Sequence, residues 1–177
     1  MVAIHIALRK FIDANGLLCV ILMLAMVINV FYDVLMRYLF NDVSIGMQEL
    51  EWHLFAAMFM FGIGYTLKED AHVRVDIFYE KALPHTQAYI NIVCALVFAL
   101  PITLVILYYG YGYALDAYQM GESSADPGGL PHRWIIRAVI PVSNLFLILC
   151  IVYHILDNVL KLRKPNVYEE HTHSERV

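Results

Sequence analysis

Four long stretches of this chain, residues 14–32, 52–67, 82–115 and 138–156, contain no Asp, Glu, Lys or Arg. A helix needs about 20 predominantly apolar residues to cross a hydrocarbon layer roughly 30 Å thick. The chain is 60% hydrophobic, well above the about 45–50% of soluble domains. The pattern predicts an all-α integral membrane protein with four transmembrane helices. They are expected at about residues 14–36, 50–68, 86–112 and 134–160, within a single membrane domain spanning 1–177.

The segments between the expected spans are too short to fold as separate domains. A net charge of −4 with no basic run gives no sign of nucleic-acid binding. Cys19, Cys94 and Cys150 all lie in apolar stretches, where they read as small packing residues rather than disulfide or metal partners. Arg9 and Lys10 precede an apolar run as in a secretory signal. That run is longer than a signal's apolar region and lacks a small-residue cleavage site after it, so an uncleaved first span is expected.

Basic residues set orientation. Arg9 and Lys10 precede span one, Lys68, Arg74 and Lys81 lie between spans two and three, and Lys161, Arg163 and Lys164 follow span four. The other two links carry Arg37 with Asp42, Glu49 and Glu51, or Asp116, Glu122 and Asp126 ahead of Arg133 and Arg137. Both termini and the 68–81 link are therefore expected to be cytoplasmic. Tyr108, Tyr109, Tyr111 and Tyr113 mark the outer interface, with Trp52 and Trp134 at the same level. Pro101 predicts a kink in span three. Residues 114–120 read as a short interfacial helix between helices 3 and 4, followed by a turn-rich loop over 121–131.

Polar residues within or beside spans are candidate functional groups. Asn29, Asp33 and Arg37 follow at i, i+4 and i+8 and share one helix face, where Asp33 and Arg37 can pair. They would line either a solute path or a helix or subunit seam. Glu49 and Glu51 precede span two and are expected to cluster with Arg37 at the outer ends of spans one and two. The charged run holding His72, Arg74 and Asp76 reads as a solvated cytoplasmic turn. Gly62 and Gly64 allow close backbone approach in span two, either within the four helices or at a subunit seam.

Haem would need two axial ligands at one depth. His53 opens span two and His154 lies near the far end of span four, on the order of 25 Å apart in depth. They cannot share one iron. No Cys/His spacing matches zinc, and no nucleophile has a base and an orienting partner.

Met36-Arg-Tyr-Leu-Phe40, Gln48-Glu-Leu-Glu-Trp-His-Leu-Phe55, Gly62-Ile-Gly-Tyr-Thr-Leu-Lys68 and His72-Val-Arg-Val-Asp-Ile-Phe-Tyr79 appear in order. Gly121-Glu-Ser-Ser124 and Pro127-Gly-Gly-Leu-Pro-His-Arg-Trp134 follow. With the four-span pattern, this series resembles the DctQ-type small membrane subunit of TRAP (tripartite ATP-independent periplasmic) transporters, over roughly residues 15–160.

The resemblance implies a multi-pass protein of the bacterial inner membrane that is not an enzyme and has no cofactor of its own. It implies a scaffold for a large DctM-type membrane subunit, which holds the sodium and substrate sites. A periplasmic binding protein would deliver a small organic acid. Asp33, Arg37, Glu49, Glu51, Trp52, Glu122, Asp126 and Arg133 are the expected contacts to these partners. A haem-binding redox anchor and a stand-alone small transporter are the alternatives.

Overall fold

A computed structural model describes residues 2–72, 79 and 81–163. These residues form four long helices. Helix α1 spans Val2–Leu39 and α2 spans Ile45–Lys68. Helix α3 runs over Pro84–Gln119, and α4 over Trp134–Arg163.

Three of them are long and apolar enough to cross a membrane. The apolar portion of α1 and the whole of α3 each run 36 residues, and α4 runs 30, with mean hydropathies of 2.4, 2.7 and 2.4. The 24 residues of α2 would reach about 36 Å at 1.5 Å per residue. Its composition is more mixed, because Glu49, Glu51 and His53 occupy its opening turns.

Local chemistry sets the helix boundaries. Ser44 caps α2 by accepting the Met47 N–H at 3.4 Å. Pro84 opens α3, where its missing N–H leaves no helical bond unmade. Inside α3, residues Ala95–Ala99 form a π turn, and the Leu100 N–H reaches back to the Ala95 carbonyl. Pro101 explains the irregularity: its ring crowds the carbonyl four residues earlier, and the widened turn relieves that contact. The irregularity ahead of Pro101 thus takes the form of this π turn. Residues 114–119, expected as a separate interfacial helix, are the last turns of α3. The two glycines before them do not break it, because Gly110 is packed against Ile140 of α4.

Packing places α2 between α1 and α4, with α3 on the far side of α4. Helix α1 also meets α4 near the chain's N-terminus. There Ile12, Phe146, Cys150 and Tyr153 form the buried core, flanked by Leu8, Phe61, Tyr65 and Leu147. Gly64 faces α4 so closely that an added Cβ would lie 2.6 Å from the Phe146 ring, whereas Gly62 faces open space. Gly64 is therefore a packing residue within the chain.

Most polar groups along the helices find local partners, while the buried Asn29 Oδ1 has none among the described residues. Thr103 Oγ1 donates to the Ala99 carbonyl at 2.7 Å, and Asn144 Nδ2 donates to that of Ile140 at 2.8 Å. Asn15 and Asn29 on α1 donate to the Phe61 and Met47 carbonyls of α2. Outward surfaces are apolar: only 11% of the most apolar windows of α1 and α3 is buried, against 33% for α4. Apolar faces that large exceed what a soluble monomer leaves to water.

Candidate functional site at the helix ends

The charged groups gather at the two ends of the bundle. One end, the loop end, holds the close of α1, the start of α2, and the loop joining α3 to α4. The other, the termini end, holds the first turns of α1 and the last of α4.

At the loop end, Glu49 lies in the first turns of α2 and is 7% exposed. Both of its carboxylate oxygens are taken. Ser124 donates its hydroxyl to Oε1 at 2.5 Å, and the Leu130 N–H donates to Oε2 at 2.6 Å. The same loop closes on itself, since the Ser124 N–H reaches the Leu130 carbonyl at 3.1 Å and the Gly129 N–H reaches that of Asp126 at 3.0 Å. Gly129 makes this approach possible: an added Cβ would lie 2.9 Å from Glu49 Oε2 and closer still to Ser124 Oγ. Gly46 lets the start of α2 come equally near, with the Gly128 carbonyl 3.2 Å from where a Cβ would be.

The stem of the loop is also tied. Arg137 of α4 pairs with Glu122 at 2.5 Å and stacks its guanidinium 4.0 Å from the Tyr113 ring centre. The Arg133 N–H donates to the Glu122 carbonyl at 2.9 Å. The Arg133 side chain stands 6.0 Å from the Trp52 ring, which itself stacks on His53 at 3.9 Å. The Ser124 hydroxyl, followed by the Leu130 N–H, holds the Glu49 carboxyl below the usual glutamate range.

Glu49 therefore turns toward the loop and does not join Arg37 in the expected cluster. Arg37 pairs instead with Asp33 at 2.5 Å, one turn back on α1. Asp33 is buried while Arg37 is half-exposed. Glu51 is half-buried and takes part in neither arrangement. Asp126 is exposed at the crest of the loop, with its N–H on Ser124 Oγ at 3.2 Å. His72 is exposed in a bend, and Arg74 and Asp76 lie outside the described residues.

Sequence reasoning missed Ser124, the Leu130 N–H and Arg137 as parts of one assembly. The paired glycines at 128 and 129 were the available signal, since such a pair permits a tight approach.

The termini end carries a second polar group. His5 of α1 meets Asp157 of α4 at 3.2 Å and stacks on Tyr153 at 4.6 Å between ring centres. Lys161 pairs with Asp157 at 2.8 Å. Lys68, at the end of α2, pairs with Asp13 of α1. Asn158 is buried and accepts from Asn91 at 3.1 Å, and Asn91 in turn donates to the Tyr79 hydroxyl at 2.9 Å.

His53 and His154 stand at opposite ends of the bundle, His53 on the Glu49 carbonyl and His154 beside Asn158. Among the described residues, no three His, Cys, Asp or Glu side chains converge as a metal site would require.

A helical bundle with lipid-length apolar helices and charges gathered at its ends is a membrane protein. Residues 26–161 match the family model for the DctQ component of tripartite ATP-independent periplasmic transporters. The chain belongs to this family. It is also similar to a Haemophilus influenzae protein described as a "Putative TRAP transporter small permease protein", with 27% identity over 142 residues, covering 80% of this chain and 88% of that relative.

Proposed function

We propose that the chain is the small permease subunit of a sodium-driven TRAP transporter in a bacterial inner membrane. In this reading it makes four crossings, with α2 as the fourth span and both termini in the cytoplasm. It forms a static wall beside a large DctM-type membrane subunit, which carries the sodium and substrate sites. A periplasmic binding protein delivers a small organic acid to that pair. The chain itself contributes no catalysis and holds no cofactor.

The observation that carries this reading is the confinement of charge to the helix ends, in a chain that belongs to the DctQ family. A path for a charged solute would need charged groups at depth. The apolar exteriors of α1 and α3 suit lipid on one side and a large apolar partner on another. Association there depends on close fit rather than on hydrophobic gain over lipid.

The test is affinity purification of the tagged chain from its native membrane. A large multi-span partner should elute in a fixed ratio with it. A tagged chain that is abundant, stable and partnerless in those membranes would end the proposal.

A further inference from the structure

We propose that the groove between α3 and α4 holds one phospholipid, with an acyl chain along Val105, Tyr109 and Tyr113 and its phosphate at Arg137.

The groove follows from how the two helices meet. Gly110 brings α3 against Ile140 of α4. Beside that contact the helices leave a space of about 480 Å³, lined by Val105, Ile106, Tyr109, Gly110, Tyr113 and Ile140. Val105, Tyr109 and Tyr113 recur at i, i+4 and i+8, so the lining is one stripe along α3. From Val105 to Tyr113 it runs about 12 Å at 1.5 Å per residue. Apart from the tyrosine hydroxyls these side chains are apolar, which suits a hydrocarbon chain.

The Tyr113 end is polar. Arg137 sits one turn before Ile140 on α4, and its guanidinium lies 4.0 Å from the Tyr113 ring centre. A guanidinium carries five N–H donors in a rigid fork. Glu122 Oε1 takes a bond from Nη2, and the rest of the fork has no partner among the described residues. A phosphate at this end can accept from it. The Tyr113 ring already holds the guanidinium in place, which lowers the ordering cost of binding.

The surroundings favour lipid over a protein side chain. Tyr108, Tyr109, Tyr111 and Tyr113 are between 49% and 75% exposed. At about 100° per residue they point to different sides of α3. A protein contact covers one side of a helix. Tyrosines on several sides suit the headgroup layer, where the ring rests in lipid and the hydroxyl meets water. Arg137 stands at that level, where lipid phosphates lie.

The experiment uses the full chain, with any large subunit that accompanies it, freed of lipid in mild detergent. Dioleoylphosphatidylglycerol, dioleoylglycerol and inorganic phosphate are added in turn, and bound copies are counted by native mass spectrometry. One phosphatidylglycerol should stay bound once the detergent is stripped. Dioleoylglycerol should bind roughly tenfold more weakly, the equivalent of about one lost charge-assisted hydrogen bond. Inorganic phosphate should not displace the lipid. Val105→Trp, which fills the groove from an exposed position, should abolish the retained copy. Leu104→Trp, exposed on the opposite side of α3, should keep it. Arg137→Gln should reduce binding of the phospholipid alone.

Unchanged retention in Val105→Trp would overturn the proposal, and so would equal loss in both tryptophan variants. Release of a large subunit by Val105→Trp, with no lipid retained by the wild-type complex, would give the groove to that subunit instead. If Arg137→Gln does not fold, the two lipids on the wild-type chain decide the headgroup assignment, and equal affinities overturn it. A chain that purifies without a large subunit ends the earlier reading and leaves this one standing, because every residue of the site belongs to this chain.

Discussion

Single residues at the loop end act through geometry that a change of charge would disturb. The Glu49 carboxyl is held below the usual range, first by the Ser124 hydroxyl and then by the Leu130 N–H. A carboxylate whose pKa is depressed on folding stabilises the fold at every pH above its unfolded value. That contribution is lost only as pH falls through the lower, folded value. The loop should therefore stay attached through the ordinary glutamate range near about 4.3, and loosen only below it. Trp52 and Trp134 flank the loop and are the only tryptophans in the chain. Their fluorescence in an acid titration of the purified protein should report one transition with a midpoint below that value. The transition should vanish in Glu49→Ala. A midpoint at or above the ordinary value would contradict the hydrogen-bond geometry. Apart from the glycine pair at 128 and 129, the partners of Glu49 were not legible in sequence. Glu49 and its partners stand 75 and 81 residues apart, and a local reading of the charges favoured the nearby Arg37. The Asp33–Arg37 pair, by contrast, was readable, because a spacing of four on a helix brings two side chains together without any knowledge of the fold.

At the scale of elements, long uncharged runs located all four helices, because a membrane-length apolar block leaves few other structures open. What escaped was how the helices end and where they bend. The sequence pattern set residues 114–120 apart as a separate short helix. The helix runs on, because the cost of a buried glycine, about 1 kcal/mol, is offset where its missing side chain admits Ile140. The glycines of α2 separate in the same way. Gly64→Ala would press a methyl against Phe146 and Cys150 and should cost about 1–3 kcal/mol through overpacking. Gly62→Ala meets nothing within 4 Å and should leave thermal stability unchanged or raise it slightly, since alanine is the better helix former. Thermal unfolding of the detergent-solubilised chain checks both. Gly62→Leu then separates two roles for that open face. Normal melting with loss of the large subunit on purification would mark a seam, and retention of the subunit would mark a lipid face. Equal melting losses at positions 62 and 64 would mean that the α2–α4 contact is misplaced.

For the molecule as a whole, what needs testing is whether α2 crosses the membrane. Its 24 residues suffice in length, yet its acidic opening and mixed composition set it apart from the three strongly apolar helices. The bundle's own contacts argue for a crossing. The start of α2 is bound to the α3–α4 loop through Glu49, and its end is bound to the first turns of α1 through Lys68 and Asp13. Both α1 and α4 are membrane-length, so a helix tied to opposite ends of that bundle is expected to traverse the same layer. Single cysteines placed by Val43→Cys, Ser123→Cys and Arg163→Cys, in a background where Cys19, Cys94 and Cys150 are serine or alanine, test this directly. In intact cells with a permeabilised outer membrane, a membrane-impermeant maleimide should label positions 43 and 123 but not 163. Opening the inner membrane should add labelling at 163. A cysteine at His72 completes the argument, because it follows α2 directly. Protection of that position until the inner membrane is opened means that α2 crosses. Labelling of His72→Cys together with Val43→Cys would leave α2 lying along one side, and the four-span reading would have to give way to three.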